Sequence, residues 1–192
     1  PDSSRPELLV GLWLAEGTSF ESTETVAKRF EARMMKEPGV ATVTTWVGSG
    51  LPRFYLPMDQ IFPQSNVSQA VVLQVDAKTR EALRQKLPEI LAAEFPEARG
   101  RVKLLPNGPP VAYPVQFRIV GEDVATLRHW SEEAKTLLRA HPDMVGVNDN
   151  WNESIKSVRL EVDQAKARAM GVTTQSIAQA TRVLTSGSTI GQ

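Results

Sequence analysis

The chain has 192 residues, enough for one medium domain or two small ones. Lys plus Arg and Asp plus Glu each total 22, so no net field draws it to nucleic acid or to an anionic membrane. Cysteine is absent, which excludes disulfides, thiolate catalysis and cysteine-based zinc sites, and fits an oxidising compartment.

Residues 8–15 read as the first strand. This is also the longest apolar run; Gly11 interrupts it, and it is far shorter than the ~20 residues a membrane helix needs. Thr18 with Glu21 makes a capping box for a helix from about residue 19 to 36, with Val26, Phe30 and Met34 on one face. Glu37-Pro38-Gly39 ends that helix and residues 41–46 return as a strand. Residues 70–75 start a second unit, capped at Asp76, whose helix carries Leu83, Leu87, Ile90 and Leu91. Pro88 lies inside that pattern and predicts a kink or a late start. Phe95-Pro96 closes the helix and residues 101–105 follow as a strand. A third unit repeats the plan: strand 115–120, cap Asp123, a helix burying Leu127, Ala134, Leu137 and Leu138, then His141-Pro142 and strand 144–147.

Two consecutive βαβ units make the split-βαβ, ferredoxin-like α+β sandwich, an antiparallel sheet with two helices on one face. Units one and two complete such a fold over roughly residues 7–105. The proline-rich stretch 106–114 reads as a linker, and the third unit as half of a second sandwich. The connection 47–69 exceeds the usual length of a structureless loop and holds Phe54, Tyr55 and Phe62. Two readings stay open for it: a hairpin extension folded on its own domain, or a mobile, aromatic-lined binding loop.

The closing stretch 157–172 reads as a strand running through Asp163 into a short Ala-rich helix that stops at Gly171. A second helix opens at Thr173 or Thr174, with Ile177, Thr181 and Leu184 on one face. This block resembles the segment that enters the docking domain of resistance–nodulation–division (RND) multidrug efflux permeases, the acriflavine-resistance type. The opening residues 9–19 resemble the start of that family's second periplasmic loop, and Val115-Gln116-Phe117-Arg118-Ile119-Val120-Gly121 its next subdomain. The similarity keeps the family's order across essentially the whole chain.

The resemblance implies a first porter subdomain over residues 1–110, the first half of a second over 111–153, and the start of a docking domain over 154–192. It implies part of a periplasmic loop of a bacterial inner-membrane antiporter, a view that an opening Pro1 in place of Met suits. It also implies a homotrimer working with a periplasmic adaptor and an outer-membrane channel on small-molecule substrates. The loop 47–69 takes the place of the family's switch loop, which makes Gly48, Gly50, Arg53, Phe54, Tyr55 and Phe62 its candidate substrate-binding residues. Glycines there allow backbone change, the aromatics offer stacking area and Arg53 a cation. The family's better-studied members carry a Gly-Phe-rich loop here; the extra prolines of this chain depart from that pattern and stiffen it.

Other chemistry is poorly supported. Gly48-Ser49-Gly50 lacks the third glycine of a dinucleotide fingerprint, and Pro52 follows where a helix would open. His129 and His141 have no local ligand spacing, and residues 148–153 lack the register of a calcium loop. No nucleophile–base pair is evident, so neither an enzyme nor a bound cofactor or metal is expected. Two functions survive: substrate handling in a proton-driven efflux pump, or a stand-alone ferredoxin-like module that binds or senses small molecules. The strands lack the basic-aromatic pattern of RNA binding.

Overall fold

The structure is a computed structural model that describes residues 3–54, 56, 58–108, 113–151, 154–188 and 191. It divides into two compact units, residues 1–155 and 156–192.

The first unit is built on β1 (Glu7–Leu14), α1 (Phe20–Met34), β2 (Val40–Val47), β3 (Val67–Gln74), α2 (Ala77–Glu94) and β4 (Ala98–Leu104). The sheet order is β2-β3-β1-β4 with every pairing antiparallel, which is the split-βαβ arrangement. Alternation along the strands decides the layers. Leu8, Val10, Leu12 and Leu14 of β1, with Ala70 and Val72 of β3, turn to the helix side. There they meet Val26, Phe30 and Met34 of α1 and Leu83, Leu87 and Leu91 of α2. Phe30 and Phe95 pack edge to face at 5.7 Å between ring centroids, both fully buried. Burying each such large side chain stabilises the fold by roughly 1.5–3 kcal/mol, before conformational entropy is set against it.

Ion pairs lace the helix layer. Arg33 pairs with Glu37 at 2.7 Å and with Glu94 of α2 at 2.9 Å, while Lys86 reaches Glu37 at 3.4 Å and Arg29 contacts Glu97. The Arg33 hydrogen bond holds the Glu37 carboxyl below its ordinary range despite partial burial.

Two local expectations need correcting. Ser19, one residue on, caps α1 by accepting from the Ser22 N–H, while Thr18 donates its hydroxyl back to the Ala15 carbonyl. The helix with Pro88 in its interior does not start late: it begins at Ala77, directly after the Asp76 cap, and continues to Glu94. Leu83, Leu87 and Leu91 are buried along it, and packing outweighs the lost hydrogen bond.

The third unit gives the larger correction. α3 (Val124–Arg139) forms and is capped by Asp123 as expected, yet none of its residues is buried and Leu137 is 76% exposed. Residues 115–120 and 144–147 join no ladder, and neither do residues 157–162. The complete sandwich explains why. In it β3 lies between β1 and β2, and β1 lies between β3 and β4, so the two strands of one βαβ unit never bond to each other. A single unit therefore has no internal ladder to form; its strands take shape only when a second unit interdigitates.

Polar contacts hold residues 113–151 together instead. Asp149 pairs with Lys135 at 2.9 Å and accepts from the Ser131 hydroxyl at 3.0 Å and the Trp151 N–H at 2.9 Å. Burial acts to raise the Asp149 pKa, and these partners reverse that, leaving it lowered. The Arg128 guanidinium stacks on Trp151, 5.0 Å from the ring centroid.

In the second unit, α4 (Gln164–Ala169) is capped by Asp163, and the chain turns at Gly171 with φ 68°. α5 (Thr174–Ser186) opens on a reciprocal capping box between Thr173 and Ser176. Ile177 and Thr181 are half-buried and Leu184 is exposed. Among the described residues no helix is long and apolar enough to cross a membrane.

Candidate functional site

The two-layer sandwich leaves one face of its sheet without helices, and the long connection crosses it. On this outer face the register places Leu9 beside Lys103, Gly11 beside Arg101 and Trp13 beside Arg99, with Val71 and Gln69 on the β3 side and Trp46 on β2. Leu51 and Met58 from the connection are buried here against Leu9 and Leu105, with Trp46 and Val71 packed around them. This small second core is the reason the connection has a defined path.

Polar contacts fix the same path. The Leu51 N–H donates to Gln69 Oε1 at 3.0 Å, a buried bond, and Lys103 Nζ meets Asp59 at 2.6 Å. The stem is closed by Gly50 N–H to the Ile61 carbonyl at 3.2 Å and Gln64 N–H to the Gly48 carbonyl at 3.0 Å.

The expected site residues take distinct places on this frame. Gly48 has φ 75°, and a Cβ there would stand 2.8 Å from the Phe20 ring. Gly50 has an ordinary φ, but a Cβ would sit 2.7 Å from Ile61 Cβ. Arg53 turns back on the loop and donates to the Leu56 carbonyl. Phe54 and Phe62 are 57% and 68% exposed, as is Leu56 at 77%. Tyr55 lies outside the described residues. The connection thus has a buried side, Leu51 and Met58, and an apolar side open to solvent.

Sequence reading did not single out Leu51, Met58, Gln69, Asp59 or Lys103. The signal available was weak: Leu51 and Met58 are the aliphatic positions beside the prolines, and nothing local pairs either with a strand. Trp13 was also passed over. Its ring lies against Gly11, where any Cβ would overlap it, so the indole is laid flat on the sheet by the missing side chain of its neighbour.

Elsewhere, a shallow recess of about 260 Å³ is lined by Arg128, His129, Glu132, Asp149 and Trp151. Its charges compensate one another through the Lys135–Asp149–Ser131 cluster. Among the described residues no group of three or more His, Cys, Asp or Glu is placed to hold a metal ion.

A split-βαβ sandwich with a long connection folded over its bare sheet face, followed by the capped helix α3 and a capped two-helix unit, defines a porter-type module of the RND permeases. The model of the AcrB/AcrD/AcrF family matches residues 1–192, and the chain belongs to that family. The family is one of efflux transporters, not of enzymes. Among solved structures, one crystal form of a heavy metal efflux pump matches with a TM-score of 0.65 at 17% identity, over 94% of this chain and 19% of that one. A second crystal form matches with a TM-score of 0.62 at 17% identity, over 93% of this chain and 18% of that one. At this identity the likeness shows the fold, and the chain spans under a fifth of the pump's length. A search of curated proteins finds no significant match.

Proposed function

We propose that this chain is the periplasmic substrate-handling part of a proton-driven RND pump that exports drugs or other amphiphilic compounds. It lies in the periplasmic loop of a bacterial inner-membrane protein. The pump works as a homotrimer, with a periplasmic adaptor and an outer-membrane channel completing the path. Residues 1–110 form the first porter subdomain, 111–153 half of the second, and 154–192 the beginning of the docking domain.

One observation carries this reading. The connection is pinned to the sheet by Leu51 and Met58, yet leaves Phe54, Leu56 and Phe62 uncovered. A loop that only closed its own domain would have no use for that exposed apolar side. Gly48 and Gly50 mark the stem about which it swings, and Arg53, Phe54, Tyr55 and Phe62 contact the substrate.

The double variant Phe54→Ala, Tyr55→Ala in the full-length pump tests this. It is expected to leave the fold intact and to raise drug susceptibility at equal expression. Unchanged susceptibility would overturn the role of the loop. The alternative, a free-standing small-molecule module, draws support from the self-sufficient core of the sandwich. Transmembrane spans of ~20 apolar residues flanking this segment in the parent reading frame would exclude it.

A further inference from the structure

We propose that Arg80 is a positioning residue for the connection. It fixes the segment before β1 and, through that segment, Leu105, which with Leu9 forms the buried floor under Leu51 and Met58. The proposal rests on the efflux reading only in what the connection is for; the coupling itself is a property of this chain.

Arg80 is out of character for its place. It shares the buried face of α2 with Leu83, Leu87 and Leu91 and is 8% exposed. A cation withdrawn from water persists there only when acceptors meet its N–H groups. The acceptors are main-chain carbonyls of residues outside the sheet: Arg80 Nη1 donates to the Ser3 carbonyl at 2.9 Å and to the Arg5 carbonyl. Arg80 Nε is buried and has no hydrogen-bond partner among the described residues, which places more of the compensation on those two carbonyls. One guanidinium nitrogen thus fixes two carbonyls in residues 3–5.

The segment so held ties the two faces of the sheet together. The Pro6 carbonyl accepts from the Gln74 N–H of β3 at 3.2 Å, and the Ser3 N–H donates to the Leu105 carbonyl at 2.8 Å. Leu105 directly follows β4, and strand alternation separates it from its neighbour. Leu104 packs on the helix-side core, whereas Leu105, 2% exposed, lies in the outer core with Leu9, Leu51 and Met58. A line of contacts therefore runs from Arg80 on the helix side, through residues 3–6 at the end of the sheet, to the floor of the connection. Withdrawal of residues 3–6 would strip Arg80 of its acceptors and Leu105 of its main-chain tie in one event. Stranding a buried charge is costly, so the segment is either seated or released, and the connection follows it.

Amide exchange on the 192-residue chain tests this. The reporters are the Gly50, Leu51 and Gln64 N–H groups, whose bonds hold the connection. Arg80→Met is expected to speed their exchange by at least about tenfold, and Arg80→Lys, which keeps a donor, by less. Ser3→Pro removes the N–H that meets Leu105 and leaves Arg80 in place; it should speed the same three amides, and it decides the matter if Arg80→Met does not fold. Leu83→Ala removes a core contact from the same face of α2 and controls for general loosening; it should leave the three amides within about twofold of the parent chain. Unchanged exchange of the reporters in Ser3→Pro or in folded Arg80→Met, or equal acceleration in Leu83→Ala, would overturn the proposal and spare the efflux reading. Unaltered susceptibility with the Phe54/Tyr55 pair would defeat that reading instead, and the coupling would stand as measured.

Discussion

Residues 7–104 and residues 113–151 are written in the same pattern of strand, acidic or hydroxyl cap, amphipathic helix and return strand, and they end in different physical states. In the first, α1 and α2 bury Phe30, Leu87 and Met34 completely. In the second, α3 forms with its cap in place but buries no residue fully, Leu127, Ala134 and Leu138 being half-buried, while its flanking segments 115–120 and 144–147 remain outside any ladder. The difference is one of number, not of sequence quality. One βαβ unit supplies strands that bond only to those of another unit, and residues 7–104 contain two. Helix formation is local and needs no second unit, because the cap and the turn-by-turn hydrogen bonds are internal. A sheet is not local, and neither is a core.

The two regions differ most at Phe30, fully buried in the sandwich. Phe30→Ala removes a fully buried ring from between both helices and the sheet and is expected to cost about 3–5 kcal/mol in chemical denaturation. A loss below about 1 kcal/mol would mean that the sandwich core is no better packed than the half unit. Leu51→Ala addresses the thin second core under the connection. It is expected to cost about 2–3 kcal/mol and to raise amide exchange through residues 48–64, and unchanged exchange would show that the polar stem alone fixes the loop.

Glu37→Gln sharpens the contrast through pH. The Glu37 pKa is lowered in the folded chain, chiefly by Arg33, so its contribution is present above the unfolded carboxylate pKa and is lost as pH falls through the folded value. The variant should be less stable by about 1 kcal/mol at neutral pH, with the gap closing in acid; a gap independent of pH would remove the ion pair as its cause. The smallest effect is expected in the half unit. Leu137→Ala, on an exposed face of α3, should change stability by less than about 0.5 kcal/mol, and a larger loss would reveal a partner for that face.

Much of the sandwich was legible from the sequence for reasons visible in single residues. Val26, Phe30 and Met34 recur at the helical period and are buried as that period requires, and Asp76 and Asp123 cap the helices that follow them. The shift of the first cap from Thr18 to Ser19 is a matter of one residue, where two adjacent hydroxyls compete. Leu137 shows the limit of the same reasoning. Its spacing is as regular as that of Leu87, but periodicity names only the side a helix would bury, not whether anything lies there. The candidate site was legible in its extent and less so in its working parts. The aromatics of the connection stand out by type, whereas the Leu51 and Met58 anchors depend on residues far away in the chain.

By itself the sequence determined the helices, their caps, the order of the βαβ units and, through the ordered set of motifs, the family. These rest on interactions spanning a few residues, or on a pattern that needs no coordinates. Tertiary structure alone decided which amphipathic faces became core, which extended segments became strands, and which side of the sheet the long connection would cross. Those outcomes depend on partners supplied from distant sequence: strand β3 between β1 and β2, and Lys103 facing Asp59. A lone βαβ unit can specify the need for such a partner but not provide it, because in this topology its two strands are never neighbours.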